Sequence, residues 1–164
     1  MSRVYRLLRH AFAANPLDGE GSYRFGGRWS SPGTRLVYTA GNLSLALLEY
    51  LAHLDPSNWP EDLMLAVSEI PDELSRIDLK IEELPANWKA YPAPANLCHI
   101  GDQFVSNAKA VVLTIPSVLA PTENNWLINP FHPDFQRVSL ISTERFKYDQ
   151  RLRKAGSHPG LASR

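Results

Sequence analysis

Arg28, Tyr38 and Glu49 lie within one stretch, GSYRFGGRWSSPGTRLVYTAGNLSLALLE, that runs from Gly21 to Glu49. Each side chain can act on a small polar molecule. Arg28 follows Gly26-Gly27, and glycines let the backbone approach a ligand closely. Its planar guanidinium suits two-point capture of a phosphate or carboxylate, although it could equally pair with Glu49 or stack on a ring. Tyr38 ends a short apolar run. There it can serve as a strand aromatic, stack on a flat heterocycle or donate a hydrogen bond. Glu49 interrupts the nearly all-apolar LALLEYLAHL. A carboxylate in that setting either closes a structural ion pair or works at a site, because perturbed acids cluster at sites only probabilistically. Ser117 follows AVVLTIP, and its hydroxyl either ends that strand through a side-chain turn or emerges where ligands bind.

Other chemistries fit poorly. No G-x-S-x-G elbow surrounds Ser117, which argues against a hydrolase triad. Neither a P-loop nor a G-x-G-x-x-G fingerprint occurs. The five histidines lack zinc-site spacing, so no metal is expected. Cys98, the single cysteine, can form neither an intramolecular disulfide nor a multi-cysteine zinc site. It reads as a small core residue.

Charge narrows the partners. Lys plus Arg and Asp plus Glu both number 17, which leaves no electrostatic footprint for direct nucleic-acid or anionic-membrane binding. The opening MSRVYRLLRHAF has no signal-peptide core, and no run nears the roughly 18 apolar residues of a membrane span. Cytoplasmic residence is the expectation.

These residues must be positioned by short elements, since thirteen prolines punctuate the chain. Alternation predicts an opening strand over 3–8, and strands follow at 36–39, 63–70, 110–115, 125–129 and 138–146. Residues 13–27, rich in Gly, Asn, Asp and Pro, read as a loop. A helix is predicted over 45–54, capped by Asn42 or Ser44. Being apolar nearly all round, it reads as buried. His53 stands at i+4 from Glu49, so a contact between them is available. A second helix is predicted over 95–108 and a bend at 132–135. The sum is an α+β domain over residues 1–153, with strands outnumbering helices, and a mobile tail at 154–164.

The segments GGRWSSPGTRLVYTAGNLSLALLE, NLCHIGDQFVSNAKAVVLTIPS and IPSVLAPTENNWLINPFHPDF resemble, in matching order, the RES domain, named for an arginine, a glutamate and a serine. In this chain those would be Arg28, Glu49 and Ser117. Phe104 departs from the pattern, since the family often has tryptophan after the Gly-Asp pair.

The resemblance implies an ADP-ribosyltransferase-like fold of two packed, mostly antiparallel sheets flanked by short helices. It implies a toxin that consumes NAD+ as substrate, with no further cofactor, by hydrolysis, phosphorolysis or ADP-ribosylation of a protein such as a phosphoribosyl pyrophosphate synthetase. The implied partner is an Xre-like helix-turn-helix antitoxin, with which an oligomer can form. Arg28 would hold the pyrophosphate or adjoining ribose, Tyr38 would stack on nicotinamide, and Glu49 would face the ribose. Ser117 would hydrogen-bond the ribose or amide, and Arg6 and Asn129 would complete the NAD-binding set.

Overall fold

The computed structural model describes residues 1–55 and 58–154; the expected tail falls almost wholly outside these. In chain order the main elements are β1 (Ser2–Arg9), α1 (Glu20–Phe25), β2 (Val37–Ala40), α2 (Leu43–Ala52), β3 (Leu63–Ile70) and β4 (Arg76–Asp78). They continue as α3 (Cys98–Asn107), β5 (Val112–Pro116), β6 (Asn124–Ile128), β7 (Ser139–Arg145) and α4 (Gln150–Lys154).

The strands form one sheet in the order β4-β5-β6-β2-β1-β3-β7. All pairings are antiparallel except β4 with β5. The wholly apolar run expected to be central does sit inside the sheet, because β5 is buried along its length and covered on both faces. Where two packed sheets are expected, the strands form a single seven-stranded sheet. Between β1 and β3 the register runs from Ser2↔Ile70 to Arg9↔Leu63, yet β1 meets β2 only at Tyr5↔Ala40. No other residue pair of these two strands is in register among the described residues.

Two expectations need correction. Residues 13–27 are not a continuous loop, since α1 occupies their second half. EGSYRF has no apolar period to reveal it. Its ends are set by Gly19 and Gly26, both at φ 68°, which is the left-handed region that glycine enters without strain. Glu20 supports it by pairing with Arg24 one turn on, at 2.5 Å, and with Arg35, at 2.6 Å. The helix read as buried, α2, is half-open: only Leu45 and Ala46 are buried, and Leu48 is 42% exposed. It lies on the sheet by one stripe, and a folded surface leaves many apolar atoms in water. Asn42 is its cap, with Oδ1 accepting from the Leu45 N–H at 2.8 Å.

The core nearest the site gathers Trp29, Leu36, Leu97, Phe104, Leu113, Ile115 and Leu127. Phe104, the position that departs from the family pattern, faces inward from α3. Gly101, on the same helix, is pressed against the backbone of Trp29, and a Cβ there would overlap the Trp29 carbonyl oxygen.

Candidate active site

A cavity of about 490 Å³ is lined by residues of β1, β2 and α2 and by residues 26–29. Arg6, Arg28, Tyr38 and Glu49 all line it, joined by Tyr50, His53 and Asn125. Four of the six residues proposed from the sequence therefore share one space. Ser117 and Asn129 do not line it.

The arginine loop is held from three directions. Its turn closes through the Gly27 N–H, which donates to the Ser30 carbonyl at 2.9 Å. Trp29 is buried in the core. The Ser31 N–H and hydroxyl donate to the two oxygens of Asp102 on α3, at 2.9 and 2.7 Å. Burial pushes the Asp102 carboxyl upward, but the donors of Ser31, together with Thr34 and the nearby His99, hold it below its ordinary range. The result is a fixed anchor from which Arg28 extends toward the cavity. Arg28 donates through Nη1 to the carbonyl oxygens of Trp88 and Ala90, at 2.9 and 3.2 Å. Among the described residues it has no carboxylate partner, so the ion pair with Glu49 is not formed.

Tyr38 serves the same loop. Its Oη accepts from the Trp29 N–H at 3.1 Å and shares a hydrogen bond with Ser30 Oγ at 2.8 Å. Burial raises its pKa to about 12, so the phenol stays neutral throughout the physiological range. A Cβ on Gly27 would come within 2.6 Å of that oxygen. The second glycine of the pair is therefore needed for packing against Tyr38. With the hydroxyl committed, the ring is what Tyr38 offers a ligand.

Glu49 Oε1 accepts two hydrogen bonds, from Ser117 Oγ and from Asn125 Nδ2, both at 2.7 Å. Oε2 receives none from any described residue. His53 does meet Glu49, as its i+4 spacing allowed, but through the backbone: Nδ1 lies 2.8 Å from the Glu49 carbonyl oxygen. Ser117 is fully buried behind the carboxylate. Asn129 is equally buried, donating to the Val105 carbonyl at 3.2 Å and accepting from the Phe131 N–H at 3.0 Å. It ties the end of β6 to α3. The asparagine that reaches the site is Asn125. The NN pair that opens β6 was its only trace in the sequence.

Arg6 lies deep in the cavity wall. Its Nη1 is buried without a hydrogen-bond partner, and desolvation lowers its pKa to about 10 despite the nearby Asp18. The unfolded chain holds more protons only between about pH 10 and the ordinary arginine value. Below that window the burial cost is present in full; as pH rises through it, the cost is relieved. At neutral pH, Arg6→Met should thus stabilise the ligand-free protein by roughly 1–3 kcal/mol while weakening anion binding. Thermal melts and titration with inorganic pyrophosphate check both halves of that expectation.

Among the described residues no group of three or more His, Cys, Asp or Glu is placed to hold a metal ion. No described helix is long and apolar enough to cross a membrane.

Residues 3–149 match the RES domain. The chain belongs to the RES domain family. A Toxin Res from Yersinia enterocolitica serotype O:8 / biotype 1B is 36% identical over 151 residues, covering 92% of this chain and 99% of that protein. The Prs ADP-ribosylating toxin of Sphingobium sp. strain YBL2 is 36% identical over 147 residues, covering 88% and 91%. A chain in the crystal structure of the M. tuberculosis MbcT–MbcA toxin–antitoxin complex superposes with a TM-score of 0.72 at 19% identity, covering 94% of this chain and 87% of that one. At that identity the likeness is one of fold. The family match thus extends over nearly the whole chain.

Proposed function

We propose that this RES protein is the toxin of a toxin–antitoxin pair and that its cavity cleaves the nicotinamide–ribose bond of NAD+. The observation that carries the reading is one cavity holding a carboxylate with an open oxygen, a partly buried aromatic ring and two arginines that have no carboxylate partner among the described residues. Its similarity to toxins across nearly their full length supports the biological role.

The chemistry asks for little more. Cleavage passes through an oxocarbenium-like transition state, as in glycoside hydrolysis. Nicotinamide departs as a neutral molecule, so its departure needs no general acid. A carboxylate near the ribose stabilises the positive charge that develops at the anomeric carbon. Glu49 takes that role. Arg6 and Arg28 bind the pyrophosphate, where a guanidinium fork matches phosphate oxygens. The Tyr38 ring stacks on nicotinamide. In the cell the site would be silenced by an Xre-like helix-turn-helix antitoxin.

Two acceptors compete for the released ADP-ribosyl group. Water or phosphate is the first reading. A protein acceptor is the second, favoured by the similarity to the Prs ADP-ribosylating toxin. Incubating the purified protein with labelled NAD+, with and without phosphate and with lysate, separates them. Free ADP-ribose or its phosphorylated form is expected, appearing together with nicotinamide. Label retained on a protein band would favour the second reading, and intact NAD+ in every arm would overturn both.

A further inference from the structure

We infer that Ser117 and Asn125 are positioning residues that pin one oxygen of Glu49, so that Oε2 alone meets the ligand. The kinetic part of this inference rests on the proposed NAD+ cleavage. The structural part does not.

Ser117 has no capacity left for a substrate. Its Oγ lies 3.1 Å from the Leu119 N–H and 3.2 Å from the Ala120 N–H, both of which donate to it. A hydroxyl has two lone pairs and one proton. With both lone pairs filled from the chain, its proton is directed to Glu49 Oε1 at 2.7 Å. The side chain is also fully buried, so it is neither a nucleophile nor a contact for ribose. That differs from the role its family resemblance implies.

Asn125 supplies the second pin. Its Nδ2 donates to the same Oε1 at 2.7 Å, from a strand position fixed on both sides, by Ala40 on β2 and Ile115 on β5. Two short hydrogen bonds converging on one carboxylate oxygen fix the plane of the group. The loop between β5 and β6 is itself braced, because the Ser117 N–H donates to the Glu123 carbonyl at 2.8 Å. Asn42, the cap of α2, donates through Nδ2 to Glu123 Oε2 at 2.9 Å. The helix carrying the acid and the hairpin carrying its two donors are thereby joined at a second point.

Fixed orientation matters because a misplacement of about 1 Å can cost a hundred-fold in rate. Ser117→Ala and Asn125→Ala should each lower kcat by about ten- to a hundred-fold, with KM for NAD+ nearly unchanged. In a Glu49→Gln background neither should cause further loss, since no charge remains to be aimed. A rise in KM with kcat preserved, or losses that multiply in the double variants, would overturn the inference. An independent readout is the ¹³C carboxyl resonance of Glu49, assigned by its disappearance in Glu49→Gln. It should move in both single variants. If it stays in place in the folded Asn125→Ala protein, the pin is wrong, whatever becomes of NAD+. If wild type leaves NAD+ intact while the resonance moves, the proposed reaction falls and the pin stands.

Discussion

Glu49→Gln is expected to reduce NAD+ consumption by about a hundred- to a thousand-fold, the range seen when one preorganised electrostatic contact to a transition state is removed. Glutamine is the sharper test than alanine at this position. Its amide oxygen can occupy the place of Oε1 and keep both hydrogen bonds, from Ser117 and Asn125. Only the charge and the open oxygen are lost. Thermal stability should therefore stay close to wild type, or rise, because a partly buried carboxylate carries a desolvation cost that an amide does not. The measurement pairs NAD+ turnover by mass spectrometry with a thermal melt, and growth after induction reports toxicity. Turnover near wild type would remove Glu49 from the chemistry.

Gly101→Ala should have the largest effect on stability, for a reason that involves no ligand. The added Cβ would overlap the Trp29 carbonyl oxygen and press on Leu36. Both belong to rigid surroundings, so neither can yield cheaply. Overpacking of a well-filled core costs about 1–3 kcal/mol, occasionally more, and overlap with backbone belongs at the upper end. To relieve it, α3 must move away from the arginine loop. That movement would also draw Asp102 from the Ser31 N–H and hydroxyl, leaving Arg28 on an unanchored turn. A denaturant melt should show a lowered midpoint, with NAD+ consumption falling in the fraction that remains folded. A variant as stable and active as wild type would mean that α3 does not clamp the loop.

Much of this was legible in the chain. Strong patterns gave strong readings: the alternation of 63–70 coincides with β3, and Asn42 was one of two caps expected for α2. Arg28, Tyr38 and Glu49 stood out because each residue type was at odds with its apolar or glycine-rich surroundings. The errors share a physical origin. Burial on one stripe or all round cannot be separated when a helix is apolar on every face, so the sequence predicts α2 enclosed where the structure leaves it half-open. Helix α1 is specified by two glycines and ion pairs instead of a hydrophobic period. Ser117 is read from its position after a strand and Asn129 from the family resemblance, and neither lines the cavity. Which way a residue at a strand end points is decided by the loop that follows, and a local pattern does not contain that loop. Asn125 meets Glu49 across 76 residues of chain, a distance over which periodicity carries no information.

The joint at Tyr5 and Ala40 has a mechanical consequence. Since only that register pair connects the two halves of the sheet, the angle between them is governed by side-chain packing around the junction, with little of the backbone ladder at stake. A molecule seated in the gap touches both plates at once, through Arg6 on one and Tyr38 on the other. Occupancy would then act as a wedge of fixed width, stiffening a sheet whose two parts share one backbone register pair among the described residues.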